Sequence, residues 1–264
     1  MAKTQKELAF LHDLYIQNEW TQRFADLVDK HLNLDDSDNL LYINAGTGSH
    51  ALALQEKFGE TTDVFATCEN EDVLKIALDK AAALSSAVDF SMIRFDNDAF
   101  DTVLADCTFA RTDEVETLIE NAVRVARVTG DVGIFLPTSG SFGEVASLLW
   151  EVLFTEGFGV QGTAAEKIIN DLPTVSVLES IAERAGLVNI ETHSEIEVFE
   201  YENGDEFIAS PLVADFLLPA WLDGLDENEN ERVVKKLAQI IDAEGESLSF
   251  RFSVKATLLT GEKK

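Results

Sequence analysis

The feature that most constrains the fold is a short apolar run that ends in glycines and passes into a helical pattern. Residues 40–43 are apolar, Asn44 ends the run, Gly46 and Gly48 follow, and residues 49–58 are rich in Ala and Leu at helical spacing. This layout predicts a strand, a tight turn and a helix N-terminus. The glycines let the backbone approach a ligand, and free N–H groups of the first helical turn point toward it. A plain strand–turn–helix connection without a ligand has the same pattern.

Strands and helices alternate through the first half of the chain. The run at 100–105 is almost entirely apolar, as expected of a parallel strand that is covered on both faces. Alternation of this kind predicts an open parallel sheet with helices on both sides. The predicted strands are 40–44, 63–67, 88–93, 100–105 and 132–136, and the predicted helices between them are 49–58, 70–84 and 112–127.

The regular alternation of strands and helices ends in the second half of the chain. Alternating apolar and polar residues at 188–200 predict an antiparallel strand, and residues 205–244 follow a helical pattern. The last strand is predicted at 247–259. We predict a single domain over 1–264, made of an N-terminal helical cap (1–36), a core (37–200), a helical insertion (201–246) and the last strand (247–264).

Charge and composition exclude several classes of partner. With 49 acidic against 20 basic residues, the net charge of −29 repels polyanions, so we expect no nucleic acid and no anionic membrane as partner. No apolar run is long enough to cross a bilayer, and the N-terminus lacks an apolar signal core. Two cysteines make no disulfide framework, so we expect a cytoplasmic protein. The four histidines are scattered, which predicts no metal site.

Three segments together carry a family resemblance. They are the glycine turn, the run Phe-Asp-Thr-Val-Leu-Ala-Asp at 100–106, and Ala-Arg-Val-Thr-Gly-Asp-Val-Gly-Ile-Phe-Leu-Pro at 126–137. With the antiparallel ending, their order resembles the class I S-adenosylmethionine-dependent methyltransferases, over residues 38–260. The resemblance implies an α/β fold: a doubly wound, mostly parallel seven-stranded sheet with an antiparallel last strand. It also implies S-adenosylmethionine as cofactor and methylation of an acceptor.

The resemblance assigns cofactor contacts to the glycine turn, with two departures. The family's first strand runs into an acidic residue, followed by glycines at alternate positions. Here the acidic position falls on Tyr42 and the first glycine position on Asn44. In the family the acid helps hold the ammonium group of the methionine moiety, and Tyr42 offers only a hydroxyl. The turn residues assigned to the cofactor are Tyr42, Asn44, Ala45, Gly46, Thr47 and Gly48.

Further cofactor residues follow the second and third strands. The family's ribose-binding acid maps onto Cys68, with Glu69 one residue later, and a carboxylate there can accept from both ribose hydroxyls. Glu69 is equally explained as a favourable charge at a helix N-terminus with Asn70 as cap. The family's adenine-contacting loop is missing, which leaves Ile93 or backbone groups to contact adenine.

Two residues are predicted to border the methyl group. Asp106, just beyond the fourth strand, matches the family position where a carboxylate orients an acceptor or acts as a base; it also suits a capped turn. Tyr15 resembles the family's lid tyrosine over the carboxylate end of the cofactor, and a packed aromatic is the alternative. Both are therefore predicted as catalytic residues, and Asp106 as a cofactor contact too.

The sequence leaves three functions open. The first is an S-adenosylmethionine-dependent methyltransferase with a small-molecule acceptor. The second is a catalytically inactive, methyltransferase-like binding or regulatory protein, which the weakened cofactor motifs favour. The third is an NAD(P)-binding oxidoreductase, because the glycine turn also fits a dinucleotide fingerprint. The apolar stretch 210–222 suits a substrate pocket, a homo-oligomer contact or the completion of a core.

Overall fold

The structure, a computed structural model, describes residues 3–32, 37–158, 171–244 and 249–264. The strands of this part are β1 (Asn39–Ile43), β2 (Asp63–Thr67), β3 (Asp89–Ser91), β4 (Phe100–Asp106), β5 (Ala126–Thr138), β6 (Leu187–Tyr201) and β7 (Phe250–Lys263). They form one seven-stranded sheet in the order β3-β2-β1-β4-β5-β7-β6. The pairs of β1 with β2 and β4, of β2 with β3 and of β4 with β5 are parallel, and the last strand is antiparallel. The predicted fold class is confirmed.

The helices lie between the strands and before the first of them. None in the described ranges combines the length and apolar character needed to span a membrane. The α-helices of the described part are α1 (Gln5–Leu11), α2 (Gln22–His31), α3 (Ser49–Phe58), α4 (Glu71–Leu84), α5 (Thr112–Val125), α6 (Gly143–Thr155), α7 (Val175–Ala185), α8 (Gly204–Ala209), α9 (Leu218–Trp221) and α10 (Glu227–Glu244). Two π-helical segments complete them, π1 (His12–Thr21) and π2 (Leu212–Leu217).

The N-terminal segment, where the sequence predicts a helical cap, is helical over residues 5–31. Its elements α1, π1 and α2 follow one another without a break. A capping box starts the run, in which the Thr4 hydroxyl accepts from the Glu7 backbone N–H and the Glu7 carboxylate accepts from the Thr4 N–H. The π1 hydrogen bonds widen the helix, so the 3.6-residue periodicity does not identify which π1 residues point inward.

The central strands are buried because helices cover both faces of the sheet. In β1, Tyr42 lies beside Ala66 of β2 and Leu104 of β4, and all three are almost fully buried. This is the apolar composition typical of parallel strands. On one face a core of strand residues packs against α5 and α7; it includes Leu41, Val103, Ile134, Ile119 and Leu178.

The described residues divide into two compact units. The first consists of 1–136, 175–195 and 256–264, and the second of 137–174 and 196–255, each less the undescribed residues. The second unit has an aromatic core in which Phe252 stacks on Phe199 with ring centroids 4.9 Å apart. In the predicted 210–222 segment, Leu212, Val213 and Trp221 are buried, as the core interpretation expects. The predicted single domain with its cap and insertion stays a prediction.

Candidate functional site

Two cavities lie at the carboxyl edge of the parallel strands, within the first unit. The larger, here the Ile93 cavity, has a volume of about 630 Å³ and is lined by residues that follow β2 and β3 and by α5. The smaller, here the Asp106 cavity, has a volume of about 410 Å³ and reaches the end of β4 and the start of π1. Both are lined by Asn44, Glu69, Thr117 and Leu118. Open α/β sheets bind ligands at this edge.

Glu69 lies on the wall that the two cavities share. Its carboxylate accepts hydrogen bonds from its own backbone N–H and from that of Gly46. The surrounding protein desolvates the carboxyl group and raises its pKa, and these two hydrogen bonds counteract part of the rise. Asn70 caps α4, as the alternative interpretation of Glu69 expects: its side chain accepts from Asp72 N–H at 3.1 Å and Val73 N–H at 3.0 Å. Glu69 precedes this cap and lines both cavities, so a charge at the helix N-terminus and a ligand contact are both compatible with its position.

Asn44 keeps the turn geometry that the missing glycine would give. Its φ is +56°, in the left-handed region that Asn tolerates better than most residues. The Asn44 side chain donates to the Asp106 carbonyl oxygen at 3.3 Å, and its N–H donates to Thr67 Oγ1 at 3.2 Å. The Ala45 N–H donates to the Thr67 carbonyl oxygen at 2.8 Å. Asn44, in the place of the family's glycine, thus ties the end of β1 to β2 and β4.

His12, the first residue of π1, stands directly over Gly46. Gly46 has φ +55°, and a Cβ atom added to it would lie 2.6 Å from His12 Cε1. The imidazole also lines the Asp106 cavity. Desolvation lowers the pKa of His12 to about 4, so its ring is neutral at physiological pH. No role was predicted for His12 from the sequence, since only the packing of π1 on the glycine turn brings it here.

Gly48 serves packing in this structure. A Cβ atom on Gly48 would lie 2.6 Å from Phe90 Cε1 and 3.4 Å from the Ala77 Cβ, so the space beside it is filled by β3 and α4. Neither Gly46 nor Gly48 is among the residues that line the two cavities. The predicted close approach of a ligand to these two glycines stays a prediction. Thr47, between them, is fully buried, and its hydroxyl has no hydrogen-bond partner among the described residues.

Asp106 ends β4 and lines the smaller cavity. Desolvation raises the pKa of its carboxyl to about 7, although the Thr108 N–H donates to its Oδ1 at 2.8 Å. The nearby Glu69 carboxylate raises that pKa further. A carboxyl group with this pKa exchanges a proton near neutral pH, which suits acid–base chemistry.

Tyr42 lines neither cavity. It is almost fully buried, and its hydroxyl lies 3.2 Å from His50 Nδ1, whose Nε2 lies 3.5 Å from Asp29 Oδ1. Burial raises the pKa of Tyr42 well above its ordinary value. The structure thus does not bring Tyr42 to the cavity wall where the family's acid would hold an ammonium group.

The remaining predicted residues fall into two groups. Cys68 and Ile93 line the larger cavity, and burial raises the pKa of the Cys68 thiol to about 12, which keeps it protonated. Tyr15 is 39% exposed and lines neither cavity, so His12 is the π1 residue that reaches the site. Within the described ranges, no three or more His, Cys, Asp and Glu side chains are grouped to hold a metal ion.

Comparison with known proteins agrees with this architecture. Residues 41–134 match a family model described as a methyltransferase domain. The YcgJ protein from Bacillus subtilis superposes with a TM-score of 0.60 at 13% identity, over 92% of this chain and 99% of that one. A second similar structure is Haemonchus contortus phosphoethanolamine N-methyltransferase 2, in complex with phosphomonomethylethanolamine and S-adenosylhomocysteine. It superposes with a TM-score of 0.57 at 14% identity, over 98% of this chain and 58% of that one. No curated protein matches the sequence closely enough to count as a relative.

The fold and the matched domain together define a class I S-adenosylmethionine-dependent methyltransferase architecture, and the predicted resemblance is confirmed. Residues 41–134 match the methyltransferase-domain model, and a domain of that kind implies S-adenosylmethionine as cofactor. The fold alone does not fix the reaction. The [4+2]-cyclase SpnF superposes with a TM-score of 0.52 at 17% identity, over 100% of this chain and 97% of that one.

Proposed function

We propose that this protein is a cytoplasmic S-adenosylmethionine-dependent methyltransferase that acts on a small molecule. The observation that carries the proposal is the position of Glu69, on the wall shared by two cavities and hydrogen-bonded to the Gly46 N–H. A carboxylate at the end of the second strand, beside the glycine turn after the first, is the arrangement that holds a ribose over this edge of the sheet. An acceptor of small size suits a cavity of about 410 Å³.

The residues present fit the nucleoside part of the cofactor. Glu69 would hold the ribose hydroxyls, and Ile93 with Leu118 would flank the adenine in the Ile93 cavity. Gly46 has no side chain to obstruct the turn, and Asn44 keeps the left-handed backbone that a glycine would otherwise provide. The cofactor supplies an activated methyl group on a sulfonium centre. The chain has to align the acceptor and exclude water.

Asp106 is the residue best placed to handle the acceptor's proton. When a methyl group is added to an N–H or O–H group, one proton must leave. With a pKa of about 7, the Asp106 carboxyl is partly ionised at neutral pH and can accept that proton. It would thereby act as the general base, in the position that the sequence predicted for it.

Calorimetric titration of the purified protein with S-adenosylmethionine, S-adenosylhomocysteine and NAD tests the proposal. We expect both sulfur compounds to bind in the micromolar range and NAD not to bind. Binding of both should weaken in Glu69→Ala, whereas Glu71→Ala, an exposed residue in the first turn of α4, should bind as the wild type does. Absence of binding to either sulfur compound would refute the proposal, and binding of NAD alone would favour an oxidoreductase.

A second function, an inactive binding or regulatory protein, is favoured by two observations. Phe90 fills the space beside Gly48, and Tyr42 hydrogen-bonds to His50 instead of facing the cavities. Both remove features that the family uses for the cofactor. A protein of this kind would bind S-adenosylhomocysteine weakly or not at all, and no acceptor would be methylated. Screening small-molecule acceptors with methyl-labelled S-adenosylmethionine distinguishes the two functions.

A further inference from the structure

Two of the four histidines, far apart in sequence, lie against each other in the first unit. The His31 ring, at the end of α2, stacks on the His193 ring of β6, with ring centroids 3.8 Å apart and an angle of 7° between the ring planes. β6 is the strand at one edge of the sheet. This histidine stack (His31 and His193) therefore joins the end of the N-terminal helical segment to the sheet edge.

Charged side chains surround the histidine stack. Lys30, the residue before His31, forms an ion pair with Glu195 of β6. Glu191 Oε2, on the same strand, lies 3.6 Å from His193 Nε2. Within the described ranges, the charged groups that face the two rings are thus one ammonium, that of Lys30, and two carboxylates, those of Glu191 and Glu195.

The balance of charge at this place reverses when both rings bind a proton. With neutral rings, one ammonium faces two carboxylates. With protonated rings, three cations face the same two carboxylates. Lys30 pairs with Glu195, and Glu191 lies next to His193, so the charge on His31 has no counter-charge of its own. Two like charges on rings stacked this closely repel each other.

The direction of the pH effect agrees with this geometry. Desolvation lowers the pKa of His31, and the positive charges of His193 and Lys30 lower it further, whereas Glu195 raises it. The folded chain thus binds the His31 proton less readily than the unfolded chain does. The contribution of the neutral stack to stability is present above the unfolded value of 6.5 and is lost as pH falls below it.

The neighbouring ion pair persists over the same range of pH. The hydrogen bond from Lys30 lowers the pKa of the Glu195 carboxyl. Mild acid therefore charges the imidazoles and leaves this carboxylate ionised, so the rings are the groups that respond.

We propose that His31 and His193 form a pH-sensitive contact that holds the end of α2 against β6 at neutral pH and releases it in mild acid. Protons from the solvent bind to ring nitrogens, and no covalent bond between heavy atoms changes. Neither histidine lines the Ile93 cavity or the Asp106 cavity, so the contact does not depend on the proposed function. It anchors the far end of the helical segment whose π1 part contributes His12 to the Asp106 cavity.

Hydrogen exchange of the ligand-free protein tests the proposal. The Leu32 N–H, which donates to the Val28 carbonyl oxygen at 2.9 Å, reports on the last turn of α2. Its protection factor, corrected for the intrinsic exchange rate at each pH, should fall about tenfold between about pH 7.5 and about pH 5.0, as expected for one pKa unit of repulsion. In His193→Phe, whose ring stacks but cannot be charged, it should change less than about twofold.

The Ser86 N–H is the internal control, because it donates to the Ala81 carbonyl oxygen at 2.9 Å at the end of α4, away from the histidines. Its protection factor should not change between the two pH values. Equal falls at Leu32 and Ser86 would show that acid loosens the first unit as a whole and would overturn the proposal.

The reciprocal variant, His31→Phe, guards against a failure of one phenylalanine to fit. At least one of the two variants should keep the protection of Leu32 in acid at its neutral-pH level. If Leu32 loses protection in acid equally in the wild type and in both variants, repulsion between the rings is not the cause and the proposal is wrong. The same holds if the wild type shows no loss.

Discussion

The two cavities differ in the groups that they offer a cofactor. The Ile93 cavity, in which the proposed function places the ribose and the adenine, offers the Glu69 carboxylate and the apolar side chains of Ile93 and Leu118. The Asp106 cavity offers a second carboxyl group at Asp106 and the His12 ring, whereas Tyr42 lines neither cavity and lies against His50. The difference teaches that residues next to their strands line one cavity, whereas packing of the N-terminal helices brings residues to the other.

The largest effect is expected where the two cavities meet at the glycine turn. Gly46→Ala should weaken S-adenosylhomocysteine binding more than about a hundredfold, because the new Cβ would lie 2.6 Å from His12 Cε1 and displace the ring. Strain from the left-handed backbone adds about 1–2 kcal/mol of destabilisation. Calorimetry measures the affinity, and urea denaturation measures the stability.

Gly59→Ala is the matched control for this change. Gly59 also has a left-handed φ, +61°, but a Cβ there would meet nothing within 4 Å. It should therefore show the backbone strain without a loss of affinity. Equal affinities for Gly46→Ala and the wild type would contradict the proposed approach of the ligand to Gly46.

The nucleoside side should depend on the charge of Glu69. Glu69→Gln keeps the shape and removes the charge-assisted hydrogen bonds to the ribose, each of which contributes about 1.5–3 kcal/mol. Affinity for S-adenosylhomocysteine and for 5′-methylthioadenosine should both fall about 10- to 100-fold. Loss of only one of the two, measured by calorimetry, would show that Glu69 contacts a part of the ligand other than the nucleoside.

The Asp106 side should show a pH dependence of stability. Because the pKa of Asp106 is raised from 3.8 to about 7, the folded protein keeps a proton there that the unfolded chain releases. The resulting stabilisation is present below the unfolded pKa and is lost as pH rises through about 7. Between about pH 5.5 and about pH 8.5 the wild type should lose about 2 kcal/mol of its free energy of unfolding through Asp106. The Asp106→Asn variant, whose side chain stays neutral, should not show this loss.

Urea denaturation of both proteins at the two pH values gives this difference directly. The comparison with the variant cancels the contribution of the other acidic groups. Parallel pH profiles for wild type and Asp106→Asn would mean that the carboxyl of Asp106 is well solvated, and its role as a base would lose its physical support.

The smallest effect is expected at Tyr42. Tyr42→Phe removes the hydroxyl that contacts His50 and should cost about 0.5–1.5 kcal/mol of folding free energy. Affinity for S-adenosylhomocysteine should stay within about twofold, since the hydroxyl faces the protein interior. A tenfold loss of affinity would instead support the cofactor contact predicted from the sequence for position 42.

The sequence predicted the sheet, and the position of Glu69 and Ile93 at its carboxyl edge, because these depend on local patterns. Strand, turn and helix follow one another from residue 40 to residue 58, and Glu69 and Ile93 lie directly after their strands, so their position at the sheet edge is a matter of counting. Asn44 was identified from the sequence as a departure from the family's glycine. Its left-handed backbone, which explains why Asn is tolerated there, is seen only in the folded turn.

The arrangement of residues around the Asp106 cavity and the glycine turn could not be predicted, because it depends on packing between segments that are distant in sequence. The contact of His12 with Gly46 joins residues far apart in sequence, and the π-helical widening of π1 removes the periodicity that would have distinguished His12 from Tyr15. The packing of Phe90 beside Gly48 likewise joins β3 to the glycine turn. Tyr42 and His50 are eight residues apart, on either side of the glycine turn, so their proximity has a local signal. Only the folded structure shows that the Tyr42 hydroxyl lies against His50 Nδ1.

A crystal structure of the protein with S-adenosylhomocysteine tests the central claim most directly. The account predicts the adenine in the Ile93 cavity and the ribose hydroxyls within hydrogen-bond distance of the Glu69 carboxylate, with the methyl-bearing end of the cofactor toward Asp106. A ligand in the reverse orientation, or one bound away from Glu69, would contradict it.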